Sequence, residues 1–319
     1  MPVVYLVIPC YNEEQVLPET VKRLTEKLRK MNAAGLADEG SRMLLVDDGS
    51  RDATWELISK FSRENALVAG IKLAHNRGHQ NALLAGLTTA RKYADCAVSL
   101  DADLQDDVEV LDEFVQKFLD GCDVVYGVRN KRDTDTFFKR TTALGFYKVM
   151  ELLGVSVINN HADYRLMSRR ALDALGDYRE VNLFLRGLVP LIGFRSGCVY
   201  YDRHERFAGE SKYPLKKMIS FAVDGITSFS VKPLQMIFGL GALTSLVSLV
   251  GVVWSLIAHC AGGSAAWIVG VWSLWLLGGI LLACMGVVGV YVGKVYGEVK
   301  ARPRFLVEQS ANLPTGNDA

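Results

Sequence analysis

The sequence predicts an α/β domain built on a mostly parallel sheet, followed by an interfacial segment and a pair of membrane-crossing helices. Three observations predict it. Short apolar runs alternate with helix-period segments from Val3 to Val128, the pattern of strands covered on both faces. Polar clusters follow the first, second and fourth of those runs. No Asp, Glu, Lys or Arg occurs between Pro233 and Gly293.

Val3–Ile8 is a continuous apolar strand, and residues 14–31 then place Leu17, Val21, Leu24 and Leu28 on one helical face. Met43–Val46 is the second strand; Asp52 caps a helix carrying Trp55, Ile58 and Phe61. Val68–Leu73 is the third strand and Gln80–Tyr93 the third helix. Ala97–Leu100 is the fourth strand, after which Asp107 caps a helix with Val108, Leu111, Val115 and Phe118 turned inward. Asp123–Val128 is the fifth strand. The tail after Leu306 is polar and expected to be disordered.

With 319 residues there is room for about two units. A net charge of +1 leaves no global basic field, which excludes nucleic acid as a partner. The six cysteines are scattered without a Cys-x-x-Cys pair, so neither a zinc site nor a disulfide framework is indicated. The apolar runs Leu234–Ala258 and Ala265–Gly293 each exceed the ~20 residues that cross a bilayer as a helix. Lys212, Lys216, Lys217 and Lys232 precede them, and Lys294, Lys300, Arg302 and Arg304 follow. The positive-inside rule then places both flanks and both termini in the cytoplasm, as a two-span protein of the inner or plasma membrane. Residues 212–232 read as a basic, amphipathic stretch lying in the headgroup layer. The expected organisation is a cytosolic domain over 1–210, an interfacial segment over 211–232, a hairpin over 233–295 and a cytoplasmic tail over 296–319. Glycines along the spans allow close helix packing, within one chain or in a homo-oligomer.

The chemistry is written at the strand ends, where open α/β sheets bind ligands. Pro9 to Glu14, Asp47 to Ser50 and Asp101 to Gln105 sit at that edge. Asp101 and Asp103, two apart after a strand, can converge on one small volume. Two like charges so placed favour a cation between them, and hard oxygen donors select Mg²⁺ or Mn²⁺ over Zn²⁺. Phosphate is the usual further ligand of such an ion, which points to a nucleotide diphosphate. An isolated Asp-x-Asp is also what a solvated, helix-capping turn looks like; the coincidence of three clusters favours chemistry. Neither Gly-x-Gly-x-x-Gly after the first strand nor Gly-x-x-x-x-Gly-Lys occurs, against dinucleotide and P-loop folds. His75, His79 and His161 lack a paired spacing and are set aside as metal ligands.

These clusters resemble the family 2 glycosyltransferases of GT-A type, a Rossmann-like fold. The resemblance extends over residues 3–307, through Tyr126-Gly127-Val128-Arg129, Phe138-Lys139-Arg140, Ala162 to Arg169, Phe184-Leu185-Arg186-Gly187 and Arg206 to Pro214. These segments resemble the polyprenyl-phosphate branch, which includes bactoprenol glucosyltransferases and dolichyl-phosphate mannosyltransferases. The resemblance implies that Pro9, Tyr11, Glu13 and Asp48 hold the nucleoside. It implies that Asp101, Ala102, Asp103 and Gln105 hold the diphosphate and its metal. It implies that Arg129, Arg140, Arg206 and Lys212 grip phosphates. Its chemistry would be inverting transfer of a hexose, glucose above others, from a UDP-linked donor to undecaprenyl phosphate for cell-envelope glycans. Asp103 and Arg129 would then serve catalysis. Asp163 would be a base by resemblance; its chemistry favours binding a sugar hydroxyl or a positioning role, and a salt bridge to Arg165 or Arg169 is the structural alternative. Many relatives have Asp-Pro-Pro or Asn-Pro-Pro after the Gln, where this chain has Asp106-Asp107-Val108.

Two other readings compete. A processive polysaccharide synthase would carry Gln-x-x-Arg-Trp, but no Trp lies between Trp55 and Trp254. A non-catalytic glycolipid carrier or flippase subunit would need a polar path, which two charge-free spans do not offer.

Overall fold

The computed structural model describes residues 1–130, 161–181, 183–202, 232–260 and 266–314. Arg140, Arg206, Lys212 and the expected interfacial segment, save Lys232, lie outside the described residues. The chain forms two compact units. The first takes the N-terminal α/β region and, after a long interruption, the tail from Arg302 onward; the second takes two long helices up to Ala301.

In the first unit, β1 (Val4–Cys10), β2 (Arg42–Asp47), β3 (Val68–Leu73) and β4 (Cys96–Ser99) alternate with α1 (Leu17–Ala33), α2 (Thr54–Glu64) and α3 (His79–Ala90). Then come α4 (Leu111–Leu119), β5 (Val124–Arg129), β6 (His161–Ser168), α5 (Arg169–Asp177), α6 (Leu185–Leu191) and β7 (Ser196–Tyr201). The tail adds β8 (Val307–Ala311). Strand order is β7-β5-β6-β4-β1-β2-β3-β8. Val4, Leu6 and Ile8 share one core cluster with Leu17, Val21, Leu24 and Leu28 of α1. Val7 alternates to the other face, as strand geometry requires. There α3 approaches so closely that a Cβ on Gly86 would lie 2.3 Å from Val7 Cγ1. Glycine at this helix position is a packing requirement.

Three points of the expectation need amending. The sheet is mostly parallel but mixed, with two strands reversed: β6 pairs antiparallel with both β4 and β5, and β8 antiparallel with β3. β6 starts at the edge where β5 ends and slots between β5 and β4, so it must run the opposite way. Asp107 caps a turn through the Glu109 N–H rather than a helix, and α4 starts only at Leu111. Buried Lys27 accounts for this, because its Nζ donates to the Glu109 carbonyl that a longer helix would use. The tail over residues 307–314 is ordered. Ala74 N–H donates to the Leu306 carbonyl, Trp55 Nε1 to Gln309, Arg42 to the Asn312 carbonyl and Asn312 to the Val68 carbonyl. Arg304 donates to the Tyr178 carbonyl. Polar side chains satisfied by a sheet edge look, in sequence, like a solvated tail.

The structure makes the tail part of the fold. A chain ending at Pro303 should lose about 2 kcal/mol or more, from several net hydrogen bonds of ~0.5–1.5 kcal/mol each. Thermal unfolding of the solubilised protein should then shift down by about 5 °C. An unchanged midpoint would show the strand to be dispensable.

The second unit holds α7 (Lys232–Cys260) and α8 (Ala266–Lys300). Phe238, Trp254, Leu274 and Met285 are exposed on these helices. Counted over the described residues alone, no helix is long and apolar enough to cross a membrane.

Candidate active site

The loops after β1, β2, β3 and β4, the end of β5 and the start of β6 meet at one edge of the sheet. The first two loops are laced together. Asp48 N–H donates to the Cys10 carbonyl, Asn12 N–H to Ser50 and Glu13 N–H to Thr54, while the Asn12 side chain accepts from Arg51 N–H. Pro9 pairs with Val46 inside the sheet, leaving Tyr11 and Glu13 half-buried beyond it. Asp48 is buried, and both its oxygens are used: Arg77 N–H donates at 2.7 Å and Gly78 N–H at 2.9 Å. The carboxylate therefore staples the loop that leads into α3. Burial raises its pKa, against those two N–H groups. Gly49 is held at φ +65°, and a Cβ there would meet Asn76 N at 2.7 Å. Only glycine lets the two loops touch.

The Asp-x-Asp loop is anchored from behind, where buried Thr20 Oγ1 donates to the Ala102 carbonyl at 2.8 Å. Asp103 accepts from Gln105 N–H, closing a tight turn across Leu104, whose φ is +57°. Asp101, Asp103 and Gln105 are all half-buried. Burial pushes the Asp101 carboxyl up to about 6; His79 opposes the rise, while Asp106, Asp163 and Asp103 add to it.

β6 brings in a cluster that local sequence did not reveal. Ser99 pairs with Arg165 across β4 and β6. Two residues on from Ser99 and two back from Arg165, that antiparallel register sets Asp101 across from Asp163. Ser99 Oγ donates to the Asp163 carbonyl. The Asp163 side chain is buried between two guanidinium groups: Arg165 Nη2 lies 2.6 Å from Oδ1, and Arg186 grips both oxygens at 3.2 and 3.0 Å. Of the two salt-bridge partners expected, Arg165 is present, whereas Arg169 turns to Asp95. His79, at the start of α3, places Nε2 3.6 Å from Asp163 and 3.8 Å from Asp101. Burial would raise the Asp163 carboxyl, but Arg186, then His79 and Arg165, hold it well below the usual carboxylate range. Burial lowers the His79 imidazole, yet the Asp163 hydrogen bond and Asp101 leave it raised overall.

At the end of β5, Arg129 lies against Asp106 (3.3 Å) and the Tyr201 hydroxyl (3.3 Å). Tyr201 donates to Asp106 at 2.7 Å, and Tyr164 donates to the Asp107 carbonyl. The Asp106-Asp107 pair thus serves as a docking point for two tyrosines and an arginine. Sequence reading passed over both tyrosines and gave Arg186 no role. The available signal was a lone Arg in the apolar run Leu183 to Val189.

An acid-bearing loop facing buried ion pairs at the carboxyl edge of an α/β sheet lies where such folds bind their ligands. The chain belongs to glycosyl transferase family 2, whose model matches residues 5–176. It is a glycosyltransferase. It is 52% identical over 308 residues to the uncharacterized glycosyltransferase YkoT of Bacillus subtilis, covering 96% of this chain and 91% of that one. It is 34% identical over 311 residues to the SfII prophage-derived bactoprenol glucosyl transferase of Shigella flexneri, covering 96% and 97%. Among solved structures, the mannosyltransferase PcManGT of Pyrobaculum calidifontis, in complex with GDP-Man and Mn²⁺, aligns at a TM-score of 0.44 and 17% identity. That alignment covers 94% of this chain and 86% of the other.

Proposed function

We propose that this chain transfers a hexose, glucose above others, from a UDP-linked donor to a polyprenyl monophosphate such as undecaprenyl phosphate. One observation carries the reading beyond the family name. The buried carboxylate best placed to act as a base, Asp163, is locked between two arginines and held strongly ionised. A sugar hydroxyl would need a base in that position. A phosphate monoester does not, since its second pKa of about 6 leaves it mostly dianionic at neutral pH. The near full-length similarity to a bactoprenol glucosyl transferase supports the same acceptor.

The residues fit a divalent ion. The donor set is Asp101, Asp103 and the Gln105 amide, all hard oxygens; burial raises the Asp101 carboxyl, and the nearby carboxylates of Asp106, Asp163 and Asp103 add to the rise. Among the described residues no three His, Cys, Asp or Glu side chains are gathered into a cage. Mg²⁺ and Mn²⁺ suit such a half-shell, because they keep positions for waters and substrate phosphates. When bound, the ion would neutralise charge on the departing diphosphate. The protein's own part is to orient. The β1 and β2 loops hold the nucleoside beside Pro9, Tyr11, Glu13 and Asp48, while Arg129, Arg140, Arg206 and Lys212 receive phosphates through charge-assisted bonds. An acceptor oxygen attacks the anomeric carbon, the bond to the nucleoside diphosphate breaks with its electron pair, and the configuration inverts.

Read over the complete chain, the charge-free stretch from Pro233 to Gly293, with basic residues on both sides, supports two spans and a cytoplasmic catalytic unit. Residues 211–232 would lie at the headgroups, close to the lipid acceptor. The test is transfer of radiolabel from UDP-glucose, with and without undecaprenyl phosphate and Mg²⁺. Label is expected in an organic-soluble lipid, only when both are present. Label in polymer would favour a synthase, and no transfer a carrier.

A further inference from the structure

We propose that Arg186 is a phosphate-binding residue of this site, held ready for a phosphoryl oxygen by the Asp163 carboxylate. The inference rests on the reading of this edge as a place where phosphates bind, and adds to it a residue given no role so far.

Local order is the first argument. The backbone of Leu185, just before Arg186, is clamped on both sides: its N–H donates to Gln80 at 3.0 Å, and its carbonyl accepts from Arg165 Nη1 at 3.2 Å. The Arg186 side chain is then gripped in a two-point fork by Asp163. Such a guanidinium loses little freedom when it takes a ligand.

Charge is the second argument. Asp163 carries one negative charge, and Arg165 meets it at 2.6 Å from a position 1% exposed. A second guanidinium, that of Arg186, grips the same carboxylate, and this one keeps 33% of its surface open. Its neighbours Leu185, Leu188 and Val189 are buried and apolar, so the residue is not part of a general polar surface. Position is the third argument. Asp163 and His79 link Arg186 directly to Asp101, the first acid of the loop expected to hold the diphosphate.

The shared chemistry is a phosphate monoanion or dianion, from either the sugar donor or the lipid acceptor. The test uses the full-length solubilised chain carrying Arg186→Gln or Arg186→Lys. Binding of UDP with Mn²⁺ and of farnesyl phosphate is titrated by calorimetry, so turnover is not needed. Arg186→Gln should weaken one of the two probes by about tenfold or more, and Arg186→Lys should recover part of the loss, keeping the charge without the fork. Weakened UDP binding assigns the donor's diphosphate; weakened farnesyl phosphate binding assigns the acceptor. Both probes bound within twofold of wild type by Arg186→Gln would overturn the inference. A wild-type chain that binds UDP but makes no lipid-linked sugar would instead sink the proposed acceptor, leaving Arg186 to be judged by the titrations.

Discussion

Asp163→Asn should cost about 3–5 kcal/mol of stability, the usual penalty for removing one member of a buried ion pair. Arg165, at 1% exposure, would keep its charge and lose its partner. Its Nε already lacks a hydrogen bond, so the site has no slack to absorb the change. The sign with pH is fixed. The folded carboxyl lies well below its ordinary value. Its contribution is therefore fully present above the unfolded pKa of about 3.9 and fades as pH falls toward the folded one. Wild-type protein should lose this stabilisation on acidification below about pH 4, and the variant should not. Urea unfolding at pH 7 and at pH 3.5 reads both. Turnover carries the second half of the prediction. Whatever activity Asp163→Asn retains should follow the wild-type pH profile between pH 5 and 9. A variant as stable as wild type that has lost an acidic limb would restore Asp163 as a base, and with it a hydroxyl acceptor.

Asp103→Ala should do the opposite: little harm to the fold and a large loss of rate. Asp103 sits half-buried in a loop whose backbone, besides the Gln105 N–H bond to Asp103 itself, is held by Thr20 on the Ala102 carbonyl and by Lys27 on the Glu109 carbonyl. The melting point should hardly move. Charge stabilisation of the leaving diphosphate is worth several kcal/mol, so kcat should fall by about 100- to 1000-fold. Mn²⁺ binding, followed by electron paramagnetic resonance, should weaken in parallel. Full activity in this variant after exhaustive chelation would falsify the metal-assisted reading.

Much of this molecule was legible in one dimension. β1 to β5 announce themselves as apolar runs because a strand covered on both faces must be apolar throughout, and the structure finds all five. The three polar clusters at their ends also lie on one edge, as parallel order demands. Helix starts were less legible. Asp107 looked like a cap, but a buried lysine from α1 had claimed the neighbouring carbonyl. β8 was invisible because its polar side chains are satisfied by partners more than 230 positions away in the chain.

Composition and order along the chain thus established the α/β unit, the uncharged helical pair and the acidic loop, since each is written in runs of neighbouring residues. The Arg165 side of the clamp on Asp163 was among the expectations, but the Arg186 and His79 contacts were out of reach for a definite reason. They need β6 to run backwards between β4 and β5, and they need α3 and α6 to start at the same edge. Sheet order decides which distant charges become neighbours, and that neighbourhood sets Asp163 among Arg165, Arg186 and His79.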